Sequence, residues 1–189
     1  MGTPARRRSA APTGAARGKA AASRRPARAR PPKARAGRTP DAPRVVVRAA
    51  RRGDLAAVVA IDARVTGLEK RDYWRGIFRR YGDVATAGRR FLVAATGGQV
   101  VGFVIGEVRD WEFGSPPCGW VFAIDVHPDA RQAGVGSKLL DAIVAGFRRA
   151  GVTTIRTILS RDNSLVLSFF RSQGMMAGPF IPLEMELEA

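Results

Sequence analysis

The chain has 189 residues, with 32 Lys+Arg against 16 Asp+Glu, a single His and a single Cys. That length suits one domain with a real core. One cysteine excludes an intramolecular disulfide, and one His with one Cys excludes a zinc site of the finger or ribbon type, so no metal is expected. A serine triad would have to use His127, yet no G-x-S-x-G elbow is present. No stretch approaches the ~18–20 uninterrupted apolar residues of a membrane helix, and no membrane partner is expected.

The net charge of +16 invites a nucleic-acid reading, but its position matters more than its sum. Residues 1–44 carry +12 of it, with 13 Lys+Arg and one acid, Asp41. The same stretch holds 13 Ala and seven of the 12 Pro, and no aromatic residue. Such a composition buries too little apolar surface to offset backbone entropy. Residues 1–43 are therefore expected to be a disordered basic tail, either a solvated extension or a loose binder of nucleic acid or another polyanion. They lack the apolar core of a secretory signal. The folded domain is expected over residues 44–189.

In chain order, Val45–Arg48 reads as a short strand. Gly53-Asp54 offers an N-cap, followed by Leu55, Val58, Val59 and Asp62 at helical spacing. A second helix fits Lys70–Tyr81, with Tyr73, Trp74, Ile77, Phe78 and Tyr81 on one stripe. Phe91–Ala95, Gly97-Gly98 and Val100–Val108 read as a hairpin. After Pro116-Pro117 comes a strong strand, Trp120–Val126, then an amphipathic helix over Gly134–Ala150, closed by Gly151. Val152–Leu159 is a strand and Asn163–Gln173 a short helix. Leu183–Glu188 alternates apolar and acidic residues, as a half-buried strand does. The predicted order is β-α-α-β-β-β-α-β-α-β, an α/β (α+β) fold with a mixed sheet and helices on both faces.

The most informative segment runs from Val126 to Ser137. A strand ends, a loop follows, and glycines lead directly into a helix. Unpaired N–H groups at such a helix start, beside the positive end of its dipole, suit a pyrophosphate. Arg131 adds a charge. The pattern is neither a Walker loop nor a full G-x-G-x-x-G.

Arg131-x-x-Gly134-x-Gly136 resembles the coenzyme A pyrophosphate motif of the GNAT superfamily, R/Q-x-x-G-x-G/A. Ile124-Asp125-Val126-His127-Pro128 resembles the end of that superfamily's fourth strand. Asn163-x-x-Val166-x-x-Phe169-Phe170-x-x-x-Gly174-Met175 resembles its second motif at the same spacing. The resemblance implies acetyl transfer from acetyl-CoA, as co-substrate, to an amine. It also implies a strongly twisted sheet whose fourth and fifth strands splay apart at a bulge in the fourth, with the pantetheine arm lying in the gap. Carried onto this chain, Ile124, Asp125 and Val126 would offer backbone groups to the arm. The Val126 N–H would polarise the thioester carbonyl. Arg131, Gln132, Ala133, Gly134, Val135, Gly136 and Ser137 would hold the pyrophosphate, and Asn163 and Phe170 would border the arm.

The acid–base residues are where the chain departs from that pattern. A lysine-type amine, with pKa ~10.4, must lose a proton before it attacks. The superfamily's usual Glu on the fourth strand corresponds to Trp120, and the fifth-strand Glu of ribosomal-alanine-type enzymes to Ile158. The Tyr of its second motif is Phe170 here. Asp125, inside an apolar strand at the predicted bulge and on the face opposite Ile124 and Val126, is the first candidate for base or substrate anchor, with a structural contact as the alternative. Glu112, between Trp111 and Phe113, is the second. Glu107 reads as a surface residue, His127 as a loop residue, and Cys118 lacks a His/Asp partnership. Aromatic and acidic residues over 66–81 and 110–119 suit a cationic acceptor, expected to be a protein amine. The alternatives are a small amine, or a non-catalytic acyl-CoA-binding module with a polyanion-binding tail. A cytoplasmic location is expected.

Overall fold

The structure is a computed structural model that describes residues 44–82 and 88–187. The predicted tail, residues 1–43, lies outside the described residues. Nine elements follow in chain order: β1 (Val46–Ala49), α1 (Leu55–Thr66), α2 (Arg71–Tyr81), β2 (Arg89–Thr96), β3 (Gln99–Arg109), β4 (Cys118–Val126), α3 (Val135–Arg149), β5 (Ile155–Arg156) and α4 (Ser164–Ser172). No described helix is long and apolar enough to cross a membrane.

The sheet runs β1-β2-β3-β4-β5. Its first four strands are antiparallel neighbours, and β4 pairs with β5 in parallel. Helices cover both faces, as the sequence predicts. On one face Val58 and Ile61 of α1 and Trp74, Ile77 and Phe78 of α2 meet Phe91, Val93, Phe103 and Ile105. On the other, Leu139, Ile143 and Phe147 of α3 and Phe170 of α4 meet Ala94, Val104 and Val121. Phe103, Val104 and Ile105 are consecutive and all fully buried, because β3 is covered on both sides. Each such side chain contributes ~1.5–3 kcal/mol by leaving water. The ring of Trp74 stands edge-on to Phe103 at 5.0 Å, which fixes α2 against the centre of the sheet.

The entry to α1 differs from the expected N-cap. Asp54 precedes α1 but makes no side-chain cap to it. Its carboxylate accepts from Arg48 Nη1 (2.6 Å) and Nη2 (2.9 Å) and from the Arg51 N–H (2.7 Å). It thus clamps β1 to the 3-10 turn Arg52–Asp54, and the Arg48 hydrogen bonds hold its carboxyl below the usual carboxylate range. At Gly119 the ring of Phe147 lies where a Cβ would stand, so only glycine lets α3 pack on β4 there.

Two predicted strands are shortened or missing. The strand expected over Val152–Leu159 reduces to Ile155–Arg156. The one expected over Leu183–Glu188 is absent from its described part: residues 183–187 lie in no strand, and Leu183, Met185 and Leu187 are 93%, 82% and 85% exposed. Alternation specifies which face of a strand is apolar, but a strand also needs a partner edge, and none is paired with this segment.

Candidate functional site

The site arises where β5 leaves β4. Only Gly119↔Ile155 and Trp120↔Arg156 are paired. Beyond them the strands part around a cavity of about 330 Å³. Val121 to Asp125 form one wall, and Thr157 to Ser160 with Asn163, Val166 and Phe170 form the other. Asp62, Val65, Thr66, Lys70, Tyr73 and Trp74, from α1, α2 and their connection, complete the lining.

A bulge shapes the β4 wall. Ile105 pairs with Ala123 and Gly106 with Val121, which leaves Phe122 unopposed. The expected bulge in the fourth strand is therefore present, but at Phe122 rather than Asp125. The extra residue puts Phe122 and Ala123 both against the α1/α2 core, while Val121 and Ile124 pack towards α3.

The ladder also decides which backbone groups are free. His127 N donates to Val101 O at 2.8 Å, so Gly102 and Val126 form a non-hydrogen-bonded pair of the antiparallel ladder. Two residues back, Val104 and Ile124 form another. The N–H and C=O groups of Ile124 and Val126 consequently face away from β3, over the gap. Asp125 sits in the alternate, hydrogen-bonded register opposite Phe103, which corrects its expected backbone role: its main-chain groups are spent on β3. Its side chain lies on the face opposite Ile124 and Val126, as predicted.

The residues expected to hold a pyrophosphate follow β4. The loop turns at Gln132 (φ 71°) and at Gly134 (φ 69°), which is the N-cap of α3 without a side-chain cap. The N–H groups of Val135, Gly136 and Ser137 open the helix and have no acceptor four residues back within it. Arg131, Gln132 and Ala133 are exposed beside them. Gly136 has a second reason to be glycine, since a Cβ there would stand 3.0 Å from the Phe169 ring of α4. His127 holds the loop: its Nδ1 accepts from the Asp129 N–H at 3.3 Å.

Asp125 is the ionisable group that stands out. Its carboxyl makes no ion pair or side-chain hydrogen bond among the described residues. Burial first, and then the Asp62 carboxylate, push it up to about 6, against a smaller pull from Arg131 and Lys70. Sequence reasoning did not assign Asp62 a role. Asp62 is 3% exposed, accepts from Trp74 Nε1 at 2.8 Å, and lies 3.1 Å from Lys70 Nζ. The available signal was a carboxylate on the apolar stripe of α1.

The structure does not bring Glu112 to the cavity. It sits in the 3-10 turn Glu112–Gly114, half-exposed and 3.9 Å from Arg109 Nε, because the β3–β4 connection lies at the start of β4, where β5 is paired, while the cavity opens further along β4. Glu107 binds Tyr81 OH (3.0 Å) and Arg109 Nε (3.2 Å), a bracing role. Cys118 is buried beside Arg156. Trp120 lies under the Arg109 guanidinium at 4.3 Å, and Ile158 lines the cavity. Asn163 lines it too while its Oδ1 caps α4 by accepting from the Val166 N–H at 3.1 Å. Phe170 is 4% exposed and serves both the core and the cavity wall.

The site thus combines a mixed sheet whose fourth strand has free backbone groups at the gap with a glycine-led helix start beside it. Comparison with known proteins gives the family: residues 55–175 match the Acetyltransferase (GNAT) family, to which this chain belongs. Among curated relatives, the L-2,4-diaminobutyric acid acetyltransferase of Nocardia farcinica is 32% identical over 87 residues, 46% of this chain and 44% of the relative. The mycothiol acetyltransferase of Saccharomonospora viridis is 31% identical over 87 residues, 44% of this chain and 28% of the relative. The match thus spans less than half the length of either relative. Among solved structures, the aminoglycoside N-acetyltransferase AAC(6')-Iy in complex with CoA superposes with a TM-score of 0.69 at 17% identity, covering 78% of this chain and 98% of that one. At that identity the likeness concerns the fold alone.

Proposed function

We propose that this chain is an N-acetyltransferase that moves an acetyl group from acetyl-CoA to the primary amine of a small molecule, by direct attack in a ternary complex. The observation that carries the proposal is the pair of outward-facing backbone positions, Ile124 and Val126, on the one stretch of β4 that β5 leaves unpaired. An extended amide-bearing arm can bond there as an added strand does. The fit of coenzyme A is supported by the anion-binding start of α3 at the end of the same strand. When bound, acetyl-CoA supplies the acyl group, its thioester C–S bond breaking as the amine N–C bond forms.

The chain's own residues do the rest. Val126 offers an N–H over the gap, suited to polarise a carbonyl. Arg131 and the N–H groups of residues 132–137 hold the pyrophosphate. Asp125 takes the proton from the incoming ammonium. A carboxyl with pKa about 6 is mostly ionised at neutral pH and is a stronger base than an ordinary Asp. With Phe170 in place of a phenol, the departing sulfur takes its proton from solvent, which a thiol pKa near ~8.5 permits.

The acceptor expected from the sequence is a protein amine. The names of the relatives and of the structural neighbour point instead to small amines: diaminobutyric acid, mycothiol and an aminoglycoside. A cytoplasmic location remains part of the proposal, supported by the cytosolic co-substrate. The test is release of free thiol from acetyl-CoA across a panel of diamines, amino acids, aminoglycosides and lysine-containing peptides, with the product weighed by mass spectrometry. Thiol release matched by an acetylated small amine supports the proposal. Acetylation of peptides alone returns the acceptor to protein amines. Coenzyme A binding without release from any amine overturns it in favour of a binding module.

A further inference from the structure

Three ionisable side chains line the cavity, Asp62, Lys70 and Asp125, and proton removal from an amine needs only one of them. Asp125 lines it from β4 with no ion pair or side-chain hydrogen bond among the described residues. Lys70 lines it from the start of α2, and it is no ordinary surface lysine. Its ammonium is 3.1 Å from Asp62 Oδ1, and the Asp62 side chain is only 4% exposed. The other oxygen, Oδ2, accepts from Trp74 Nε1 at 2.8 Å, and Trp74 is 2% exposed and wedged edge-on against Phe103. The anchor of Lys70 is therefore rigid. The Lys70 side chain keeps 35% of its surface, and its ammonium, ion-paired with Asp62 on one side and 5.7 Å from the Tyr73 ring centroid, carries three N–H donors. Burying Asp62 is costly unless it is paired, and an apolar residue would fill its place at lower cost. The consequence of the pair is a cation held in place on the wall of the same cavity that Asp125 enters.

Resting on the acetyltransferase reading, we propose that the acceptor is an amino-acid-type small molecule bearing both an amine and a carboxylate. Lys70, positioned by Asp62 and Trp74, binds the carboxylate through its N–H donors, while Asp125 faces the amine. A charge-assisted contact of this kind discriminates by tenfold or more against an analogue that lacks the anion. Polyamines and aminoglycosides, which carry no carboxylate, are the classes it disfavours.

The test uses the full chain at saturating acetyl-CoA with matched acceptor pairs: L-2,4-diaminobutyrate against 1,3-diaminopropane, L-lysine against cadaverine, and L-lysine against its methyl ester. The carboxylate-bearing member is expected to have the higher kcat/KM by at least tenfold. In Lys70→Met this ratio is expected to fall at least tenfold, and Lys70→Arg to restore most of it. Calorimetric titration of each pair onto the protein with coenzyme A, which cannot react, should show the same preference in Kd. Equal use of both members by the wild-type chain, or a ratio unchanged in Lys70→Met, overturns the inference. The wild-type comparison decides it even if Lys70→Met fails to fold. If no amine releases thiol, the acetyltransferase reading fails, and the calorimetric pairs still decide the Lys70 assignment: a tighter carboxylate member supports it and equal binding overturns it.

Discussion

Replacing Asp125 by Asn removes a charge and keeps the shape, and two measurable quantities should move in opposite directions. The carboxyl is raised from 3.8 to about 6, chiefly by burial and secondarily by Asp62. A shift of about two units corresponds to about 3 kcal/mol between its protonated and ionised forms. The folded chain holds this proton more tightly than the unfolded chain. That stability is fully present below pH ~4 and is lost as the pH rises through about 6. At pH 7.5 the ionised Asp125 therefore weakens the fold, and Asp125→Asn should be more stable by up to about 3 kcal/mol, a rise of several degrees in Tm. The gain should shrink towards zero as the pH falls to ~4, where Asp125 is itself neutral. Activity should move the other way. A positioned base contributes ~10²–10⁴-fold, so kcat/KM should drop at least a hundredfold. The acid limb of the wild-type profile, expected near pH 6, should vanish. Urea unfolding at several pH values and thiol release between pH 5 and 8 measure both. A variant within tenfold of wild type that keeps the limb would remove Asp125 as the base. An unchanged stability at pH 7.5 would refute the burial argument itself.

Arg131→Ala should raise the Kd for acetyl-CoA about tenfold in calorimetric titration, with a larger effect at low salt, since it removes one charge-assisted contact to phosphate. Gly119→Ala should cost about 1–3 kcal/mol in urea unfolding, because the added methyl meets the fully buried ring of Phe147. Asp54→Ala should cost a similar ~1–3 kcal/mol by releasing Arg48 and the Arg51 N–H. The Asp54 carboxyl is held low, so its contribution is present above pH ~4 and lost as the pH falls through its depressed pKa; the gap between variant and wild type should close in acid. A chain beginning at residue 44 should keep acetyl-CoA affinity and thiol release. The full chain should bind DNA with a steep salt dependence that this truncation abolishes, and equal DNA affinity of the two chains would dismiss the tail as a polyanion binder.

Local patterns carried most of the architecture. The stripe of Trp74, Ile77 and Phe78, the glycine turn at Gly97-Gly98, the loop from His127 to Gly134 and the Asn163 start of α4 were all legible, because each is decided by neighbours within one helical turn or one hairpin. So was the direction of the Asp125 side chain, opposite Ile124 and Val126, which needs only the period of a strand. The alternation over Leu183–Leu187 was equally clear, yet it made no strand, because pairing is a property of two segments. What the tertiary structure decided were relations across the chain. The bulge at Phe122 depends on register against β3, and that register also leaves Ile124 and Val126, not Asp125, with free backbone groups. The placement of Asp62 beside Lys70, Trp74 and Asp125 joins two helices to a strand some sixty residues later. No local pattern encodes that juxtaposition, since it follows from how α1 and α2 pack on the sheet. The sequence by itself determined the helices, the hairpin and the glycine-led loop before α3; packing alone determined which predicted strands found a partner and which charges share the cavity, because pairing, desolvation and Coulomb forces act through space rather than along the chain.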